Sequence, residues 1–212
     1  MRNFYRGVMY CIGLVILSLG IILNTKTGLG VSPIISIAYS ISKIGDINLG
    51  TTTLCIYILC VAGQIALRGK RFRAFDLLQL PMSVVFSWVI NVFNNMININ
   101  SNNLVVNLLL LAAAIILTGI GVAITVQMNF VPNAADGLTQ AFGEKIGTSL
   151  GLAKNIIDVA SVSITLIIGM IFAGKVIGVG IGTLAAVLGV GRAIALFNTL
   201  FKKRMLALVS YQ

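Results

Sequence analysis

Six apolar segments are each long enough to cross a lipid bilayer, and they constrain the fold more than any other feature of this chain. A membrane-spanning helix takes about 20 largely apolar residues, with a range of roughly 17 to 25. The segments that meet this length cover residues 7–24, 50–67, 76–96, 104–127, 152–173 and 176–198. The chain is 58% hydrophobic and 9% charged, against roughly 25% charged in soluble domains. These features predict an all-α polytopic membrane protein with six transmembrane helices, embedded in the lipid bilayer.

Several function classes are disfavoured by residue types that the chain lacks. There is no histidine, which removes imidazole metal ligands and histidine acid–base chemistry. The three cysteines lie inside apolar segments without CxxC spacing, and no nucleotide-binding loop is present. The net charge of +10 comes from loops between apolar segments, so membrane topology explains it better than nucleic acid. We therefore predict no enzyme activity, no cofactor, no metal and no nucleic-acid partner.

The basic residues predict the orientation of the chain in the membrane. With the N-terminus in the cytoplasm, twelve of the 15 basic residues lie on the cytoplasmic side, and Lys26, Lys43 and Lys175 lie on the other. Loops on the cytoplasmic side of membrane proteins carry the excess of Lys and Arg. The first segment starts like a signal peptide but has no small-x-small cleavage site after it, so we interpret it as an uncleaved span. Both termini are predicted to be cytoplasmic.

The two halves of the chain carry a weak internal repeat. Residues 20–50 and 121–151 have the same length, and Gly20 aligns with Gly121, Ser32 with Asn133, and "LG" at 49–50 with "LG" at 150–151. The offset stays between 101 and 105 over most of the chain. Each half, 1–100 and 101–212, then holds three spans. Since three is odd, the second half enters the membrane from the opposite side, which is the inverted-repeat plan of many secondary transporters.

Each half also contains a short helix that is too short to cross the membrane. Residues 33–44 follow Ser32 as an N-cap with Pro33 at the first helical position, and residues 133–146 start at Asn133 with Asp136 in the first turn. About twelve helical residues span only ~18 Å. Such a helix either lies flat on the membrane surface or dips into the membrane and returns, and the sequence leaves both open.

Polar residues form stripes along three of the spans. They recur every three or four residues, as Thr53, Tyr57, Cys60 and Gln64, as Asp76, Gln79, Ser83, Ser87, Asn91 and Asn94, and as Asp158, Ser161 and Thr165. Polar groups in a membrane face protein or water, because lipid cannot hydrogen-bond them. The stripes favour a hydrated cavity between the spans, with hydrogen bonding between packed helices as the alternative.

The acidic residues supply the strongest candidates for a ligand site. Asp46 and Glu144 are expected to be solvated in loops, and Asp76 to pair with the basic loop "RGKRFR" at 68–73. Asp158 lies nearly two turns into the fifth span, where it either pairs with Lys154 or couples to a proton, a cation or a ligand amine. The predicted substrate-binding residues are Ser32, Asn91, Asn129, Asn133, Asp136, Asn155, Asp158 and Arg192.

Three short motifs resemble the YczE/YyaS/YitT-like family of bacterial integral membrane proteins, most closely its YczE-type members. They are "LGVSPII" at 29–35, "ADGL" at 135–138 and "GVGIGT" at 178–183. The family phrase L-G-x-G-P-W-D-x-L carries Trp-Asp where this chain has Ile34 and Ile35, and Ile35 aligns with Asp136 in the repeat. If the family uses a symmetrical pair of aspartates, the resemblance implies that this chain keeps only Asp136. The resemblance implies a bacterial cytoplasmic membrane and a fold, and it implies no substrate.

Three functions fit these observations, and the first is preferred. It is a small secondary transporter or exporter of a polar small molecule, with its site at the repeat interface. The second is a substrate-binding subunit of an energy-coupling vitamin importer, and the third is a non-transporting membrane scaffold or accessory protein. A chain of 212 residues is small for a complete carrier, so a homodimer is left open.

Overall fold

The computed structural model describes residues 2–72, 74–99, 101–128, 131–148 and 150–210, and within these ranges the chain is helical with no β-strand. Six of its helices are long and apolar enough to cross a membrane. The described residues form eight α-helices, namely α1 (Arg2–Lys26), α2 (Pro33–Gly45), α3 (Leu49–Arg68), α4 (Gln79–Met96), α5 (Leu104–Gln127), α6 (Ala134–Ile146), α7 (Leu150–Ala173) and α8 (Ile181–Ser210). Short 3₁₀ turns at Gly69–Arg71 and Ala74–Leu78 precede α4. The prediction of an all-α polytopic membrane protein is confirmed.

The two short helices begin and end close to where the sequence predicts. Pro33 lies in the first turn of α2, where its fixed φ suits the helix and no backbone N–H is lost. The residues that follow α2 and α6, Asp46 and Gly147, are both in the left-handed conformation that stops a helix. Ser32 occupies the N-cap position of α2, but its side chain accepts no capping hydrogen bond.

The sixth span begins later than predicted. Residues 174–180 form a loop, and α8 starts at Ile181. Gly174 and Gly178 have φ values of 64° and 80°, which a right-handed helix cannot contain. The segment 176–198 therefore reads as one apolar span in the sequence, although its first five residues belong to a glycine-bent loop.

Packing divides the helices into contacting groups. Helix α1 lies along α5, which also packs on α8, and α3 packs on α4. The short helices sit between long ones, with α2 against α7 and α6 against α3. Large apolar side chains such as Trp88, Ile171 and Leu188 cover the outside, as expected of a lipid-facing surface. The buried interior contains polar side chains, including Gln64, Gln79 and Thr165.

Candidate functional site

The start of α6 is fixed against the middle of α3. Asn133 caps α6, because its Oδ1 accepts a hydrogen bond of 3.1 Å from the Ala135 amide. The Asn133 Nδ2 donates to the Tyr57 hydroxyl at 3.2 Å. Tyr57 is 3% exposed, and its ring stacks on Phe86 at 5.8 Å between centroids. Tyr57 lies eight residues after Leu49, the first residue of α3. The α6 cap therefore contacts α3 about 12 Å from the start of that helix.

Two glutamine side chains close the same region by exchanging amide hydrogen bonds. The Gln64 Nε2 donates to the Gln79 Oε1 at 2.8 Å, and the Gln79 Nε2 donates to the Gln64 Oε1 at 3.0 Å. The Gln64 Nε2 also donates to the Ala134 carbonyl at 3.0 Å. A Cβ at Gly137 would lie 2.6 Å from the Gln64 Oε1, so glycine permits this contact. Spans α3 and α4 and helix α6 are thereby joined by buried hydrogen bonds.

The other end of α6 is held by an arginine. Arg68 donates from Nε and Nη2 to the two carboxylate oxygens of Glu144, both at 3.0 Å, and from Nη1 to Asp76 at 3.1 Å. The predicted pairing of Asp76 with the basic loop is confirmed. Glu144 was expected to be solvated in a loop. Its side chain is half-exposed, but it lies in α6 and pairs with Arg68 across the helix contact.

The separation of these contacts gives the direction of α6. Eleven residues separate Tyr57 from Arg68 in α3, and eleven separate Asn133 from Glu144 at α6. Two helices with the same 1.5 Å rise keep both contacts only if they run side by side in the same direction. Helix α6 therefore lies along the second half of α3, over about 16 Å.

Asp136 lies in the first turn of α6 between two groups of ionisable side chains. Tyr10, Tyr57 and Cys60 interact with it electrostatically from α1 and α3. Lys154 and Asp158 do so from α7. Burial raises the pKa of Asp136 above its ordinary value, Lys154 opposes this rise, and the Asp158 carboxylate adds to it. The Asp136 carboxyl forms no hydrogen bond with any other residue that the structure describes.

Asp158 has a partner of its own. The Lys154 Nζ lies 3.2 Å from the Asp158 Oδ1, one turn away on α7. The Asp158 side chain is 9% exposed and that of Lys154 is 51% exposed, so the lysine extends from the buried carboxylate toward the surface. Of the two aspartates, only Asp158 has an ion-pair partner among the described residues.

A narrow crevice opens beside the α6 start. It has space for roughly one water molecule. The side chains that line it come from α1, α3, α4 and the α6 start, and they include Tyr10, Tyr57, Gln79, Ser83, Phe86 and Asn133. Two of the three predicted polar stripes thus meet here, and they enclose a crevice for about one water molecule where the stripes favoured a hydrated cavity between the spans. Within the described residues, no group of three or more His, Cys, Asp or Glu side chains could hold a metal ion.

The predicted site residues divide into three sets. Asn133, Asp136 and Asp158 come together around the α6 start. Ser32 lies at the start of α2, and the Asn91 Oδ1 accepts from the Gly50 amide at 2.8 Å near the far end of α3. The two remaining described residues, Asn155 on α7 and Arg192 on α8, are exposed. Asn129 lies outside the described residues.

Four side chains of this region are absent from the predicted set, namely Tyr10, Tyr57, Gln64 and Gln79. The last three belong to the polar stripes, and their three- and four-residue spacing was the available signal. Tyr10 stands alone in an apolar segment, and no pattern in the sequence connects it to the others. A stripe shows which residues share a helix face, but which of them pair with another helix depends on how the helices pack.

A second buried polar contact joins α2 to α7. The hydroxyls of Ser36 in α2 and Thr165 in α7 lie 2.7 Å apart, and both are fully buried. Beside them the loop before α2 meets the loop before α8. The Val31 amide donates to the Gly178 carbonyl at 2.9 Å, and the Gly182 amide donates to the Leu29 carbonyl at 2.7 Å. The first and last of the three motifs from the sequence are therefore in direct contact.

Comparison with known proteins identifies the family of this chain. A family model described as a family of unknown function, DUF6198, matches residues 4–199. The chain belongs to this family. It is similar to the uncharacterized protein YyaS of Bacillus subtilis (strain 168), with 27% identity over 199 residues that cover 93% of this chain and 94% of that protein. No solved structure matches the chain. The resemblance to YyaS-like proteins is confirmed, and the closer likeness to YczE-type members stays a prediction.

Proposed function

We propose that this DUF6198 member is a small secondary transporter or exporter of a polar small molecule, whose site lies at the start of α6. The observation that carries the proposal is the position of Asp136, a partly buried carboxyl in the first turn of α6 without a hydrogen-bonding partner among the described residues. Ionisable groups inside membrane proteins are costly, and they mark substrate and ion pathways. The Asn133 cap and the Tyr57 hydroxyl supply further polar groups beside it.

The proposal includes an inverted repeat, and two helix contacts support it. Ser36 contacts Thr165, and Gly137 contacts Gln64. The numbers 36 and 137 differ by 101, and so do 64 and 165. One contact is thus converted into the other by the offset that the sequence repeat predicts. If a two-fold axis relates the halves, each contact between them has a second copy in which the two equivalent residues belong to the opposite halves.

The crossing of α1 and α5 gives independent support. A Cβ at Gly20 would lie 2.6 Å from the Thr118 backbone nitrogen, and a Cβ at Gly121 would lie 2.5 Å from the Leu17 backbone nitrogen. These pairs are again related by 101 residues, since 20 corresponds to 121 and 17 to 118. A two-fold axis through this crossing would bring the same glycine of each half to the point of closest approach.

Both short helices are proposed to dip into the membrane. Helix α6 follows α3 for eleven residues from its middle to its end, and this direction is that of a spanning helix. None of the residues 31–42 around α2 is exposed, whereas a helix lying flat on a membrane surface leaves one face uncovered. The protein is proposed to lie in a bacterial cytoplasmic membrane. The Arg68 end of α3 and both termini are proposed to face the cytoplasm, because the basic residues concentrate on that side.

Thermal unfolding of the purified protein against a ligand panel tests the proposal. The panel contains amino acids, vitamins, organic acids, nucleosides and metal ions. A ligand at ~100 times its dissociation constant stabilises the folded protein by about 2.7 kcal/mol. We expect a selective shift that is lost in Asp136→Asn and kept in Asp46→Asn, because Asp46 is exposed at the end of α2. Uptake of the same compound into proteoliposomes then separates transport from binding.

A second candidate function is a non-transporting membrane scaffold or accessory protein. The observation that favours it is the size of the crevice, which has space for roughly one water molecule. The same panel decides between the two functions. A flat panel at all concentrations, with the variant as stable as the native protein, would contradict the transporter and favour the scaffold.

A further inference from the structure

Helix α6 covers one face of α3. Tyr57, Cys60 and Gln64 follow one another at steps of three and four residues, so they share that face. Tyr57 bonds to the α6 cap, Gln64 bonds to the Ala134 carbonyl, and the Cys60 thiol interacts electrostatically with Asp136. Cys60 is 7% exposed. A ligand or a thiol reagent therefore reaches Cys60 and Gln64 only when α6 separates from α3.

The two ends of α6 are attached to α3 by different chemistry. At its start the hydrogen bonds are enclosed, because Tyr57 and Gln64 are almost fully buried. At its end the bidentate ion pair of Arg68 with Glu144 lies near the surface, where the Glu144 side chain is 51% exposed. Exposed ion pairs are weakened by water and salt. The end near Glu144 is thus the one that can be released.

Helix α2 lacks an equivalent attachment in the part of the chain that the structure describes. Near its end Lys43 lies over the Tyr39 ring, with its Nζ 5.7 Å from the centroid, and Asp46 is exposed without an ion pair. At the start of α2, backbone hydrogen bonds join the neighbouring loops, as between Val31 and Gly178. The two related short helices are therefore held by unlike contacts.

We propose that α6 is a gate over the binding face of α3 and that the Arg68–Glu144 ion pair is its latch. When the latch opens, the Glu144 end of α6 separates from α3, and the Cys60 face together with Asp136 becomes accessible to water from the Arg68 side. Asp76 stays with Arg68 and keeps its guanidinium from being left unpaired. This inference rests on the proposed binding site at the α6 start, and it assigns the control of access to that site.

Cys60 is a natural reporter of this opening. Cys11 and Cys55 are exposed, so a Cys11→Ser/Cys55→Ser background leaves Cys60 as the single thiol. The measurement is the rate at which a membrane-impermeant thiosulfonate modifies Cys60 in proteoliposomes. We expect Glu144→Gln to raise this rate roughly two- to fivefold, the ratio that corresponds to loss of an exposed pair. Asp46→Asn, the matched change at the end of α2, should leave the rate as it was.

Salt gives a second readout that does not depend on a variant folding well. In the background protein the Cys60 rate should rise between low and high NaCl, since salt screens the latch. In Glu144→Gln the rate should be insensitive to salt. The reagent should act from the side that also modifies Lys70→Cys, a residue exposed beside Arg68. Modification from the opposite side would contradict the gate.

Failure of the gate and failure of the transporter give different results. If Glu144→Gln is folded and its Cys60 rate equals that of the background protein at every salt concentration, the gate is wrong, whatever the ligand panel shows. If Glu144→Gln accelerates modification while the ligand panel stays flat, α6 opens as proposed but the transport function is wrong. Full modification of both proteins in detergent-denatured samples verifies that the thiol is reactive.

Discussion

The Ser36 hydroxyl lies 2.7 Å from the Thr165 hydroxyl and joins the first short helix to a span of the second half. On the other side, Gly137 in the second short helix meets Gln64 in a span of the first half. Each short helix therefore packs within the opposite half of the chain. A ligand site at a short-helix start is then built from both halves, and relative motion of the halves would change its shape.

The two N-caps should differ in their contribution to stability. Asn133→Ala removes a capping hydrogen bond and the contact with the Tyr57 hydroxyl, so we expect a loss of about 1 kcal/mol or more in the free energy of unfolding. Ser32→Ala at the equivalent position should change little, because the Ser32 side chain makes no capping bond. Unfolding of both variants in detergent is the measurement, and equal losses would contradict the assigned caps.

The amide exchange between Gln64 and Gln79 should appear as a coupling energy. Gln79→Leu leaves the Gln64 amide partly unpaired in the interior, which costs about 1–3 kcal/mol. Gln64→Leu should cost less in the Gln79→Leu protein than in the native one. Asn155→Leu, on the exposed face of α7, is the control for adding a leucine. Strictly additive losses in the double-mutant cycle would show that the pair is not formed.

The crossing of α1 and α5 should tolerate no added methyl group. Gly20→Ala and Gly121→Ala place a Cβ against backbone atoms of the partner helix, so each is expected to cost about 1–3 kcal/mol. At Gly7 nothing lies within 4 Å of an added Cβ, and Gly7→Ala should be neutral or slightly stabilising because alanine favours a helix. Thermal unfolding of the three variants tests this, and similar midpoints for all would exclude the close crossing.

The stability of the protein should depend on pH through Asp136. Its folded-state pKa is raised because it is buried, so its contribution is fully present below the ordinary carboxyl pKa of about 3.9 and is lost as pH rises through the raised value. Asp136→Asn cannot ionise, so its stability relative to the native protein should increase over the range from about pH 4 upward, as the native carboxyl begins to ionise. A difference in unfolding temperature that stays constant over this range would argue against the buried carboxyl.

Local residue patterns predicted much of the secondary structure. The predicted short helix at 33–44 is observed at Pro33–Gly45, and the one at 133–146 at Ala134–Ile146. The sixth span was predicted to start at 176 and starts at Ile181, because a glycine-rich loop is as apolar as a helix. Hydropathy measures how well a segment suits lipid, and it does not register the positive φ of Gly178.

The candidate site was only partly predictable, and Asp136 and Arg192 show why. Both are charged residues in or near apolar segments. The structure places Asp136 between α3 and α7, whereas Arg192 is exposed on α8. The face of a helix that meets protein is decided by its neighbours, and these come from distant parts of the chain. Gln64 and Gln79 were recognised as members of stripes, but their mutual pairing was not.

The sequence by itself determined that this is a membrane protein, the number of its spans and the positions at which its two short helices start. These properties follow from hydropathy, helix length and capping, which act within about 20 residues. Only the tertiary structure decided that α6 lies along α3 and that Glu144 reaches Arg68. Such contacts join residues 76 apart in the chain. They depend on how whole helices pack, because a hydrogen bond or ion pair forms only where packing brings its two partners together.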